Sequence, residues 1–314
     1  MAKKKRRTGT AVAGLAFGVA LGTLFGTYIL SPNLPGGANE SSNKAVAELA
    51  AAKSEAAING AQAGAADSYI AATAGDAVHD ALKDRPVLIF RTADAADEDV
   101  TAVADLRDKS GAKDAGTITL TEKFFAQDGA DTLKSIVANT LPAGAQLSTN
   151  QLDPGTHAGE ALGAALLLNK DNGEPLAQTE ERALLLKALR DSGYIEYQDG
   201  TILPAQLVIV ITGDADGTGE TNFAAVHQAT FAKALDKLAN GVVVSGRVQT
   251  AGANGVIGQL RKDAESGVST VDSVDRAFGQ IATILAGREQ LDGKQGDYGT
   301  ADDVDAVSPG KPKE

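Results

Sequence analysis

Hydrophobic and polar positions fall into three successive patterns along this chain. Residues 11–30, AVAGLAFGVALGTLFGTYIL, are twenty positions without a charge. At 1.5 Å per residue, a helix of that length crosses a hydrocarbon core of about 30 Å, and one transmembrane helix is expected there. A cleaved signal peptide shares the basic-then-apolar pattern. The run is longer than a signal peptide's usual apolar region, however, and no convincing A-x-A site precedes Ser31-Pro32, which favours an uncleaved anchor. No later segment approaches eighteen uninterrupted apolar residues. Residues 31–43, opening with Ser31-Pro-Asn-Leu-Pro-Gly-Gly37, read as a breaker-rich linker.

The second pattern, residues 44–84, is dominated by alanine, with Val46, Leu49, Ile58, Ile70, Val78 and Leu82 as its larger apolar positions. This predicts one long helix, supported by a Lys44/Glu48 pair at i,i+4. A heptad runs through Val46, Leu49, Ala56, Ala63 and Ile70 but puts Lys53 and Asp67 on its seam, and Gly60 and Gly64 weaken it. A stalk or weak coiled coil and a helix packed back on a globular domain both fit.

From residue 85 to 292 short apolar runs alternate with helical segments. Strands are expected at Val87-Leu-Ile-Phe90, Thr117-Ile-Thr-Leu120, Gln206-Leu-Val-Ile-Val-Ile211 and Val242-Val-Val-Ser245. Helices are expected at 97–109, 122–139, 157–168, 180–191 with Thr179 as N-cap, 221–239 and about 274–290. Strands that do not alternate in polarity and are spaced by helices predict a doubly wound, mostly parallel α/β domain, its sheet covered on both faces. Residues 293–314, rich in Asp, Gly and Pro, read as a disordered tail.

Charge fixes the expected orientation. Lys3, Lys4, Lys5, Arg6 and Arg7 place five of the 29 basic residues in the first seven positions, so residues 1–10 are expected in the cytoplasm and everything after Pro32 outside. The rest of the chain carries all 41 acidic residues, and a body so acidic argues against nucleic acid as a partner. Within the apolar run Gly14, Gly18, Gly22 and Gly26 recur every four residues on one helix face, a small-residue stripe that predicts helix association in lipid and hence a homodimer or higher homo-oligomer.

Candidate chemistry is sparse. With no cysteine there is no disulfide, thiolate metal site or cysteine nucleophile, and only His79, His157 and His227 carry imidazoles. The loop Gly213-Asp-Ala-Asp-Gly-Thr-Gly-Glu-Thr221 follows the most hydrophobic strand and precedes a helix, but it lacks the P-loop lysine and the dinucleotide-loop spacing. Its Asp214, Asp216 and Glu220 repel phosphate, and Asp214, Asp216 and Asn222 lack the EF-hand spacing, which leaves a solvated turn. Asp297, Asp302, Asp303 and Asp305 form an acidic run that reads as solvated chain. No catalytic motif is present, so no enzyme, cofactor or metal site is expected.

A set of ordered strings runs from the membrane helix to about Tyr298. They are Leu21-Gly-Thr followed by Ser31-Pro32, Val87-Leu-Ile-Phe90, Gly144-Ala-Gln-Leu-Ser148, Leu152-Asp-Pro-Gly-Thr156, Glu181-Arg-Ala183, Pro204-Ala-Gln-Leu207, Val210-Ile-Thr-Gly213, Gly267-Val-Ser-Thr-Val-Asp272, Glu289-Gln-Leu291 and Gly296-Asp-Tyr-Gly299. Together they resemble the mycobacterial copper transport protein B family of actinobacteria. The resemblance implies an envelope protein of mycolic-acid bacteria, described in that family as a pore-forming outer-membrane protein that keeps cellular copper low. It also implies a link to cell separation through a membrane-bound septal partner and control of cell-wall hydrolysis. The residues themselves offer copper little: soft thiolate and thioether ligands are missing apart from Met1, and the histidines are not clustered. Nor do short, helix-separated strands read as a membrane β-barrel. Two functions are therefore expected side by side: a copper efflux or homeostasis component without a copper site of its own, and a non-catalytic bitopic scaffold for cell-wall remodelling.

Overall fold

The computed structural model describes residues 40–310. The basic segment with Lys3, Lys4, Lys5, Arg6 and Arg7, and the apolar run with Gly14, Gly18, Gly22 and Gly26, lie outside the described residues. Among the described residues no helix is long and apolar enough to cross a membrane.

The chain divides into two units, residues 1–68 and 69–314. Helix α1 (Glu40–Val78) begins four residues inside the expected linker, and alanine, which loses no side-chain entropy in a helix, dominates it. In the first unit its Val46, Leu49 and Ile58 are exposed. In the second, its last turns bury Ala74 and Val78 at i,i+4, with Ile70 packed beside them. The helix stops at Val78 rather than 84, because Asp80 and Asp84 adopt left-handed φ values of 57° and 59°.

Seven strands form one sheet: β1 (Pro86–Thr92), β2 (Lys113–Leu120), β3 (Ile195–Glu196), β4 (Leu207–Ile211), β5 (Gly241–Ser245), β6 (Ser269–Val271) and β7 (Asp297–Tyr298). Their order is β3-β2-β1-β4-β5-β6-β7, all neighbours parallel except β2 with β3. Strand order therefore reverses between β1 and β4, as in the doubly wound folds. Successive residues face opposite sides: Leu88, Phe90, Val208, Val210, Val242 and Val244 point into one core, and Val87, Ile89, Leu207, Ile209 and Ile211 into the other. Both faces are covered, which is why these strands show no polar alternation.

Helices α3 (Ala130–Asn139), α4 (Pro154–Leu166), α5 (Thr179–Asp191), α6 (Asn222–Leu238) and α7 (Val256–Lys262) supply the first core. Helices α2 (Asp97–Lys109) and α8 (Ala277–Leu291) and the end of α1 supply the second.

Several expectations are corrected locally. The helix expected over 122–139 is two 3₁₀ turns, Glu122–Phe124 and Gln127–Gly129, followed by α3. There Phe124 and Phe125 turn inward to meet Phe231 edge to face, with ring centroids 5.6 and 5.8 Å away. Helix α4 starts three residues early, with Asp153 as N-cap and Pro154 at the first position. Thr179 is the first helical residue of α5, not its cap; Gln178 and Glu181 form a capping box instead. The expected disordered tail pairs with the sheet as β7, and Tyr298 is buried. Helix α7 and strands β3, β6 and β7 are too short to carry a hydrophobic pattern of their own.

Candidate functional site

In open α/β sheets ligands gather outside the carboxyl ends of the strands, where strand order reverses. Here the loops after β1, β4 and β5 meet there through Asp94, Gly213 and Arg247. Gly213 lies so close to Asp94 that a Cβ would come within 2.5 Å of the Asp94 carbonyl oxygen. Asp99, buried at the start of α2, accepts from Arg247 Nε at 2.9 Å, while Arg247 Nη2 reaches Glu98 at 3.4 Å. The hydrogen bond to Asp99 raises the Arg247 guanidinium's pKa from its ordinary value. The acidic loop after β4 closes on itself: Asp216 Oδ1 accepts from Thr218 N and Oγ1 at 2.9 and 2.8 Å. Gly217, at φ 71°, abuts the Asn254 carbonyl, and Asn222 Nδ2 donates to the Gly217 carbonyl at 3.1 Å. Asp214 is exposed, while Asp216 and Asn222 are engaged within the loop by Thr218 and the Gly217 carbonyl.

The acidic run at the C-terminus is drawn inward. Arg261, whose side chain is 3% exposed, donates to Thr270 Oγ1 (2.8 Å), the Tyr298 carbonyl (3.0 Å) and Asp303 Oδ1 (2.8 Å), and lies 3.0 Å from the fully buried Asp272. Asp272 in turn accepts from the Thr300 and Ala301 amides at 2.7 and 3.2 Å. Tyr298 Oη donates to Glu289, and burial together with that carboxylate pushes the phenol's pKa up. This clasp is invisible to a reading of residues 297–305 alone, because its cation comes from α7.

The third arrangement is the α4/α6 seam. Gly155, Gly159 and Gly163 recur every four residues on α4, and a Cβ at each would come within 2.2 to 2.8 Å of His227, Phe231 or Leu238. At its head, Asp153 accepts from Thr156 N (2.9 Å), Thr156 Oγ1 (2.6 Å) and Thr230 Oγ1 (2.6 Å), and His227 Nδ1 stands 3.4 Å away. Burial favours the protonated acid, but the His227 imidazole and the threonine donors outweigh it, holding Asp153 well below the usual carboxylate range. His157 Nε2 lies 3.0 Å from the Ser148 carbonyl, and His79 is exposed at the end of α1. The three histidines are thus used separately, and among the described residues no group of three or more His, Cys, Asp or Glu is placed to hold a metal ion.

Beside this seam runs a groove of about 530 Å³, walled by Pro142, Ala164, Leu176 and Leu238 and bordered by Glu160 and Lys237. It adjoins a polar recess of about 170 Å³ with Asp153, Thr230, Lys233, Asp236 and Asp263; Ala234 and Lys237 line both. Of these residues only Asp153 falls within a string that the sequence singles out, Leu152-Asp-Pro-Gly-Thr156; the rest come from separate segments that meet only in the fold.

A family model described as "Copper transport outer membrane protein, MctB" matches residues 5–309. The chain belongs to the MctB family. "Copper transporter MctB" of Mycobacterium tuberculosis (strain ATCC 25618 / H37Rv) is 39% identical over 241 residues, covering 75% of this chain and 76% of that protein. The protein of the same name from Mycobacterium leprae (strain TN) is 36% identical over 247 residues, covering 74% and 76%. The MctB match takes in the α4/α6 seam, the Arg261 clasp and the groove. A copper-transport-related envelope protein is the coarse identity this supports.

Proposed function

We propose that this chain serves copper homeostasis at the cell envelope as an anchored binding module, without a copper site of its own. The observation that carries the reading is the pairing of copper-transporter relatives with a donor set that lacks cysteine and internal methionine and uses its histidines apart. In this reading residues 11–30 anchor the chain, Lys3 to Arg7 keep the N-terminus cytoplasmic, and Gly14, Gly18, Gly22 and Gly26 associate the helices. The described domain works outside the cytoplasm and performs no catalysis.

A deletion strain tests this. Loss of the gene is expected to make growth copper-sensitive, whereas purified protein reconstituted in vesicles passes no copper and shows no stoichiometric sub-micromolar copper site in calorimetry. Copper flux through the vesicles would overturn the reading in favour of a direct conduit. An alkaline phosphatase fused after Leu82 is expected to be active, and an inactive fusion rejects the topology.

The second reading is a scaffold that binds a membrane-bound septal or cell-wall partner and regulates hydrolysis during cell separation. The exposed Val46, Leu49 and Ile58 on α1 favour it, because a helix carrying exposed apolar positions gains by covering them. Cross-linked pulldown with the full chain distinguishes the two: septal enzymes among the neighbours support the scaffold, and copper-handling proteins support the first reading.

A further inference from the structure

Residues 140–153 join α3 to α4 without helix or strand, and loops of that length in compact domains are usually functional. Both ends of this connection are fixed. Leu141 packs on the first core and Pro142 is buried. At the far end Leu147 packs on the same core, Ser148 N donates to Glu160 Oε2 at 2.8 Å, and the Ser148 carbonyl lies 3.0 Å from His157 Nε2. Between those anchors Ala143, Gly144, Ala145 and Gln146 bring no large apolar side chain, and all are exposed except the half-buried Ala145. They nevertheless form one wall of the groove of about 530 Å³, whose other walls include Ala164, Leu176 and Leu238.

Little holds this wall in place. Among the described residues two hydrogen bonds restrain it: Ala145 N to the Pro142 carbonyl at 3.1 Å, within the segment's own turn, and Ala143 N to Glu181 Oε1 at 3.0 Å. Gly144 sits at φ 82°, and nothing lies within 4 Å of where its Cβ would be. The bond to Glu181 therefore ties the wall to a neighbouring helix. Glu181 has a second duty, because its Oε2 accepts from Gln178 N at 3.0 Å and closes the α5 capping box. The Ala143 and Gln178 amides hold its carboxyl below the ordinary pKa. A segment with few buried contacts, set between packed anchors, opens locally at far smaller cost than the whole domain.

We propose that residues 143–146 are a flap on the groove and that Glu181 is its latch. Closed, the flap is tied to the start of α5. Released, it swings about Pro142 and Leu147 and uncovers Ala164, which is 8% exposed in the closed groove. The flap is independent of any role in copper handling. One substitution separates latch from cap. Glutamine serves in a capping box, but one of the two carboxylate oxygens becomes an amide nitrogen that accepts nothing. Glu181→Gln therefore keeps the contact to Gln178, three residues away, and gives up the one to Ala143.

The test uses the full chain in lipid nanodiscs. Glu181→Gln is expected to accelerate hydrogen exchange at residues 143–147 by about tenfold, the effect of losing a hydrogen bond to a charged group, while exchange at residues 185–190 of α5 stays at the parental rate. The chain has no cysteine, so a single thiol placed in the groove reports its opening. Ala164→Cys is expected to react slowly with fluorescein maleimide, and about tenfold faster when combined with Glu181→Gln. Val307→Cys, outside the groove and 55% exposed at the native residue, is expected to react at the same rate in both backgrounds. Should Ala164→Cys not fold, Leu176→Cys carries the same comparison. Exchange at residues 143–147 or groove-thiol reactivity left unchanged by Glu181→Gln would overturn the proposal. So would exchange in α5 rising in step with residues 143–147, since Glu181 would then be a helix cap and nothing more.

Discussion

Gly159 of α4 lies directly against the backbone carbonyl of Phe231 in α6: a Cβ at 159 would stand 2.6 Å from that oxygen. Gly155 repeats the approach one turn earlier against the His227 carbonyl, while one turn later Gly163 admits the Leu238 side chain, so the two helices meet backbone to backbone at the first two glycines. The same four-residue spacing of glycine occurs in the apolar run at the N-terminus, but in the folded domain it is the partner helix, not lipid, that the glycines admit.

Gly159→Ala is therefore expected to destabilise the domain by about 1–3 kcal/mol, the usual cost of overpacking. Gly60→Ala, on α1 where nothing lies within 4 Å of the added methyl, is expected to raise helix stability by about 0.5–1 kcal/mol. Urea denaturation for the first variant and the thermal loss of far-ultraviolet dichroism for the second check the opposite signs.

Asp153 links stability to acid. Its folded-state pKa is depressed, so the stability it contributes is complete above the unfolded value of about 3.9 and is lost as pH falls below it. Asp153→Asn is expected to cost about 1 kcal/mol at neutral pH as a weakened N-cap, and to lose less additional stability than the parent between pH 5 and about 3. Parallel denaturation curves with no difference in slope against pH would contradict the assignment.

Arg261 holds β7 and the turn after it in place. Arg261→Met is expected to destabilise by about 3–5 kcal/mol, because Asp272 is left buried without its cation. Hydrogen exchange is expected to accelerate first at the Thr300 and Ala301 amides, which donate to Asp272. Uniform acceleration across β1, β4 and β5 would instead mean that the clasp is no separate unit.

For the membrane anchor, Gly18→Ile with Gly22→Ile is expected to abolish association of the isolated apolar helix in a membrane reporter, since β-branched side chains hold two backbones apart. Association equal to the parent would mean that the glycine spacing reflects composition alone.

Local pattern by itself determined much of the architecture. The non-alternating strands β1, β4 and β5 and the bounds of α2, Asp97–Lys109, were legible because burial on both faces and helix periodicity leave their mark within a few residues. The acidic first turn of α2 and its basic last turn agree with those bounds. Tertiary structure alone decided the rest. Strand β6 is three residues long and β7 two, and neither carries a pattern; β7 exists because Arg261 reaches residues up to 42 positions further along the chain. Asp153 meets Thr230 across 77 positions, and the groove beside α6 draws its walls from four separate segments. Such sites depend on which surfaces the sheet order brings together, and a sequence read in windows of a few residues contains no term for that distance.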